Sequence, residues 1–148
     1  MIIRSAYYEE INLVADMAVR FFKESAMGGL TYDRKRYIEF LEHNWNSKYT
    51  ECIVAVEGDK MVGYASGFAT DGYTKELVGE LFQFYVTPEF RGTMVARKLA
   101  KAMTDRFKMW GCSTAHVQSY SGINVGKFRN LWSKLGYKEV GLTMGIDL

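Results

Sequence analysis

The stretch Phe82–Leu99, FQFYVTPEFRGTMVARKL, decides how this 148-residue chain is read. An aromatic and β-branched run ends at Val86, and Thr87-Pro88-Glu89-Phe90 makes a tight connection. Arg91-Gly92 then opens a long amphipathic helix marked by Val95, Leu99, Met103, Phe107 and Trp110. Gly111 stands where a left-handed C-terminal cap belongs. A helix that starts directly after a strand leaves its first N–H groups without intrahelical acceptors and presents the positive end of its dipole. Such an end suits a pyrophosphate, with Arg91, Arg97 and Lys98 adding charge nearby. On periodicity alone, an ordinary strand-to-helix turn with solvated basic residues stands equally well.

Upstream of this stretch, Met1 to Arg4 reads as a short strand. From Tyr8 to about Phe22, Ile11, Val14, Ala15, Ala18, Phe21 and Phe22 follow helical spacing, broken at Met27-Gly28-Gly29. Asp33 caps a second helix whose Tyr37, Ile38, Leu41 and Trp45 share a face. Ile53–Val56 and Met61–Ala65 flank Glu57-Gly58-Asp59-Lys60 as a hairpin, and a third strand runs from about Leu77 to Val86. Downstream come a brief strand over Thr114 to Gln118 and a helical stripe of Phe128, Leu131, Trp132 and Leu135 ended by Gly136. Val140, Leu142, Met144 and Ile146 then alternate as a half-buried strand. The order β-α-α-β-β-β-α-β-α-β predicts a mixed α/β sheet, parallel around the long helix.

Composition narrows the functional classes. Apolar residues make up 48% of the chain, enough for one domain over residues 1–148 with its own core. Nineteen Lys and Arg against 17 Asp and Glu leave a net charge of +2, which gives no strong field for nucleic acid or an anionic membrane. No apolar run approaches the ~18 residues of a spanning helix, and the N-terminus lacks the pattern of a secretory signal. Cys52, Cys112, His43 and His116 form neither a disulfide framework nor a metal spacing. A soluble, cytoplasmic protein without a metal is the expectation.

Val86-Thr87-Pro88-Glu89-Phe90-Arg91-Gly92 before an amphipathic helix, with Leu131-Trp132-Ser133-Lys134-Leu135-Gly136-Tyr137 near the end, resembles the GNAT superfamily of acetyl-CoA-dependent N-acetyltransferases. The element order agrees over the whole chain. The resemblance implies a mixed central sheet of six to seven strands, flanked by about four helices and splayed between the fourth and fifth strands. It implies acetyl-CoA as cosubstrate and an amine acceptor. The family's pyrophosphate motif is Gln or Arg, two residues, Gly, one residue, then Gly or Ala. Arg91-Gly92-Thr93-Met94-Val95-Ala96 matches it at Arg91 and Ala96, with Met94 where glycine is usual. Glycine there lets backbone approach phosphate without a Cβ in the way. By the same resemblance, Tyr85, Val86 and Thr87 would bond the pantetheine and acetyl groups along the splayed strand. Thr93, Met94, Val95, Ala96, Arg97 and Lys98 would wrap the pyrophosphate, and Asn124 would stand at the head of the last helix.

Acetyl transfer to an amine needs the unprotonated nucleophile, whereas a lysine-type amine of pKa ~10.4 is mostly ammonium at neutral pH. A general base must remove a proton. Glu80, on the third long strand, is the first candidate and occupies the place of the base glutamate of histone-type relatives. With Val78, Phe82 and Phe84 expected on its face, apolar surroundings would raise its pKa. His116 on the next strand is the second candidate, an imidazole suited to proton transfer near neutrality. Each also fits a plain structural role, Glu80 paired with a lysine or His116 hydrogen-bonded in place. Trp132 stands where the family often has an acid tyrosine, and its indole donates no useful proton. Tyr120 is the nearest substitute hydroxyl. Tyr32, Tyr37, Trp45 and Tyr120 are candidates to wall an acceptor pocket, with core packing the simpler reading of Tyr37 and Trp45. No acidic cluster marks a polyamine pocket. Relatives dimerise through their last strands, and Gly141 to Leu148 would allow a homodimer here. Against the enzyme stand a GNAT-like module that binds CoA without chemistry, favoured by Met94 and Trp132, and a protein-interaction domain on the same scaffold.

Overall fold

The computed structural model describes residues 1–119 and 124–148. In chain order its elements are β1 (Ile2–Ser5), α1 (Ile11–Glu24), α2 (Arg34–Asn44), β2 (Thr50–Glu57), β3 (Lys60–Thr70), β4 (Val78–Val86), α3 (Met94–Met109), β5 (Thr114–His116) and α4 (Val125–Ser133). Single 3-10 turns at Tyr8–Glu10 and Pro88–Phe90 lead into α1 and towards α3. The strands form one sheet in the order β1-β2-β3-β4-β5. The first four pair antiparallel and β4 pairs parallel with β5 across α3.

Local chemistry explains the element ends. Asp33 Oδ1 accepts from the Arg36 amide at 3.1 Å and starts α2, while Thr93 caps α3. Gly111 and Gly136, at φ of 82° and 95°, close α3 and α4 in the left-handed region that glycine tolerates.

Two layers of side chains sandwich the sheet. On one face Leu99, Met103 and Phe107 of α3 and Trp132 of α4 bury against Ile53, Ala65, Leu81 and Val86. Here Gly79 is required: a Cβ on it would lie 2.6 Å from Cδ1 of Phe107. On the other face Val14 and Ala18 of α1 and Tyr37 and Leu41 of α2 cover Val54, Tyr64 and Tyr85.

The structure corrects the expected sheet in two respects. The described residues form five strands where six to seven were anticipated. The alternating segment after Tyr137 forms none, and Val140, Leu142, Met144 and Ile146 are each more than 80% exposed. Alternation makes a strand only where a neighbouring edge accepts its hydrogen bonds, and β5 offers three residues. The second correction lies in β4. Ser66 pairs with Gln83 and Gly67 with Leu81, so Phe82 is an extra residue in a β-bulge. Phe84 therefore leaves the face of Glu80 and packs against Trp132, at 5.6 Å between ring centroids.

Candidate active site

The site is built around the far half of β4. β5 pairs only with Val78, Gly79 and Glu80 and stops at His116, whereas β4 continues to Val86. From Leu81 to Val86 the outer edge of β4 has no strand partner among the described residues. The Thr87 amide donates to Val62 O at 2.9 Å on the β3 side, so the N–H and C=O of Val86 face the opening. Of Tyr85, Val86 and Thr87, Val86 is the residue whose main chain turns to the gap. Buried Thr87 spends its amide on β3, and Tyr85 points its side chain towards α1.

Beyond the gap stands the N-terminus of α3. The amides of Gly92, Met94 and Ala96 meet no acceptor among the described residues, and that of Val95 reaches only Thr93 Oγ1, at 3.4 Å. Gly92, at φ 78°, makes the turn that aims them outward. Val95 is buried in the core, so the helix end is anchored. Met94 is 52% exposed and its side chain leaves the amide cradle without joining the core. Arg97 and Lys98 are exposed and have no carboxylate partner among the described residues. Free amides at a dipole's positive end with two unpaired cations suit a diphosphate. Asn124, exposed and left-handed at φ 51°, heads α4 without a side-chain capping bond.

Arg91 is placed differently from the other cations. Its Nε donates to Val86 O at 2.9 Å and its Nη2 to Glu24 Oε2, while the guanidinium lies 5.3 Å from the centroid of the Tyr85 ring. The Tyr85 hydroxyl donates to the other Glu24 oxygen at 2.7 Å. Burial, with Glu24 beside it, pushes the Tyr85 phenol up to about 12. It therefore stays a hydrogen donor at neutral pH. Sequence reasoning missed Glu24. It sits 61 residues from Tyr85, and only the packing of α1 on β4 brings them together.

The two base candidates meet. Glu80 and His116 are register partners across β4 and β5, and His116 Nδ1 lies 3.1 Å from Glu80 Oε1. Glu80 is 29% and His116 41% exposed in the side chain, so both are reached by solvent. Trp132 is 2% exposed, wedged among Phe84, Phe128 and Tyr137, and serves as core. Tyr120 lies outside the described residues. Of the aromatic wall candidates, Tyr37 is buried and bonded to Gln83, Tyr32 donates to Ala15 O at 3.1 Å, and Trp45 lines a cavity under α2. The described residues hold no group of three side chains able to chelate a metal, and no helix among them is long and apolar enough to cross a membrane.

The site thus joins an open strand edge, a helix N-terminus with free amides, and the Glu80–His116 pair at the paired end of the same strand. The chain belongs to the acetyltransferase (GNAT) family, whose model matches residues 14–137. That family uses acetyl-CoA. Among solved structures the chain is similar to a probable acetyltransferase, at 19% identity and a TM-score of 0.78 over 100% of this chain and 97% of that one. AAC(6')-Iy, solved with a CoA-S-monomethyl-acetylneamine bisubstrate analogue, is 17% identical with a TM-score of 0.78 over 99% and 97%. An aminoglycoside acetyltransferase from an uncultured soil metagenomic sample, solved with sisomicin, is 15% identical with a TM-score of 0.75 over 99% and 95%. No curated protein matches the sequence.

Proposed function

We propose that residues 1–148 form one N-acetyltransferase domain that moves an acetyl group from acetyl-CoA directly to a primary amine. The observation that carries this reading is the outer edge of β4 from Leu81 to Val86, which has no strand partner among the described residues and ends beside the free amides of α3. Acetyl-CoA, when bound, supplies the acetyl group as a thioester. The Gly92, Met94 and Ala96 amides with Arg97 and Lys98 hold its diphosphate, and the Val86 N–H, beside a carbonyl held by Arg91, offers the strand edge to its pantetheine arm.

Glu80 takes the proton from the incoming ammonium, directly or through one water. The freed nitrogen forms its bond to the acetyl carbon as the bond to sulfur breaks. The amine's second proton leaves, and the departing thiolate is protonated by solvent. His116, with Nδ1–H donated to Glu80 Oε1, fixes the carboxylate in place, and Glu80 returns its proton to solvent. With Trp132 buried, no hydroxyl stands at the acid's usual place, and a thiolate leaves without one.

Glu80→Gln is the test. Thiol release should fall by about 10²–10⁴-fold while calorimetric affinity for acetyl-CoA stays put. His116→Asn should lose less. A larger loss in the histidine variant would make His116 the base and Glu80 its positioning residue, and full activity in both would remove the pair from the mechanism.

The reading extends to the protein's setting. Free Cys52 and Cys112 suit the reducing cytoplasm. The exposed apolar side chains of Val140 to Leu148 suit pairing with a second copy, so light scattering should report a homodimer that truncation after Glu139 dissolves.

A further inference from the structure

A cavity of about 310 Å³ opens between α2 and the sheet, walled by Phe40, Trp45, Phe68 and Phe82. Register places it beside the proton-accepting pair. Thr50 pairs with Phe68, Phe68 with Glu80, and Glu80 with His116, and directly paired residues project from the same face of a sheet. The row Thr50–Phe68–Glu80–His116 thus crosses four strands, with the cavity at one end and the carboxylate next to its aromatic wall. Phe82, the bulge residue, stays on this face two residues from Glu80 and lies 5.3 Å from Phe40.

The lining is poor in charge. Its single carboxylate, Glu51, is taken by Arg106 at 3.1 Å. The lining hydroxyl of Ser66 is buried, and its Oγ has no hydrogen-bond partner among the described residues. An apolar chamber whose wall residue Phe68 is the register partner of the Glu80 carboxylate fits a cation carried on an apolar body. A polycation such as an aminoglycoside would leave its other ammonium groups unpaired against aromatic rings.

We propose that the acceptor is a primary amine on an aromatic or branched alkyl body, which lies in this cavity with its nitrogen at Glu80. The assignment rests on the acetyltransferase reading and adds the class of substrate. Phe40 is the specificity-determining residue: it is 44% exposed, so its side chain can be cut back without opening the core.

The experiment measures thiol release with 2-phenylethylamine, isobutylamine, ethanolamine and sisomicin, and calorimetric binding of 2-phenylethylamine to the same protein. The two apolar amines should exceed the other two in kcat/KM by about tenfold or more. Phe40→Ala should remove most of that advantage without changing acetyl-CoA affinity, and Phe40→Leu should restore it. Thiol release with ethanolamine or sisomicin as the better acceptor, or an unchanged preference in Phe40→Ala, overturns the cavity assignment and leaves the acetyltransferase reading standing. Absence of thiol release from every amine overturns both, even if 2-phenylethylamine binds.

Discussion

The two faces of the sheet are built on different terms. The face under α3 and α4 is mostly apolar, with aliphatic and aromatic side chains packed around Leu99, Met103, Phe107 and Trp132. The face under α1 and α2 buries hydroxyls. Tyr37 and Tyr64 both donate to Oε1 of Gln83, at 2.5 and 2.8 Å, and the aromatic cavity opens beside them. A buried carbonyl that accepts two hydrogen bonds has its capacity filled and fixes three elements at one point. The difference assigns labour: one face holds the helix whose N-terminal amides meet no acceptor among the described residues, and the other keeps a polar anchor next to open space.

The sharpest way to break this contrast is Trp132→Ala. If the apolar face is the structural one, stability should fall by about 3–5 kcal/mol in denaturant titration, as for other large aromatic deletions. A loss near zero would show that α4 contributes little.

The next test is alkaline. Burial raises the phenol of Tyr64, and that of Tyr37, well above the ordinary value. The folded state then keeps protons that the unfolded chain loses near pH ~10. Stability from these groups is full below that pH and declines as pH rises beyond it. Calorimetric melting between pH 8 and 11 should show the decline, with a shallower slope in Tyr37→Phe. At neutral pH, Tyr37→Phe removes one of the two bonds to Gln83 and should cost about 1 kcal/mol. Smallest of all is Met94→Gly, because the Met94 side chain is half exposed at the mouth of the cradle. Acetyl-CoA affinity should hold or rise slightly in calorimetry, and a large loss would mean that the Met94 side chain itself helps to hold the cosubstrate.

What the sequence disclosed follows from what local pattern encodes. Helical stripes, the Asp33 cap, the glycine stops and the turn at Pro88 are written in neighbouring residues, and each stands where the spacing predicts. The bulge at Phe82 is not, since it depends on how β4 meets β3, and it moved Phe84 to the opposite face. Glu24 escaped for a related reason, because a helical glutamate near a glycine-rich break looks solvated until α1 docks. Val140 to Ile146 misled in the opposite sense: the alternation is genuine, but a strand needs a partner that local pattern does not supply. Glu80 and His116 were legible singly, as two rival bases. Their meeting at 3.1 Å required the register of β4 and β5.

Gly79 lets the Phe107 ring of α3 sit where any side chain of β4 would begin. That contact works as a ruler. Because α3 is a stiff rod, a spacer inserted under its far end would tilt the near end, shifting its amides relative to Val86. A methyl group at position 79 should therefore change the reach between the two ends of a bound cosubstrate without touching either, making this glycine a remote regulator of alignment.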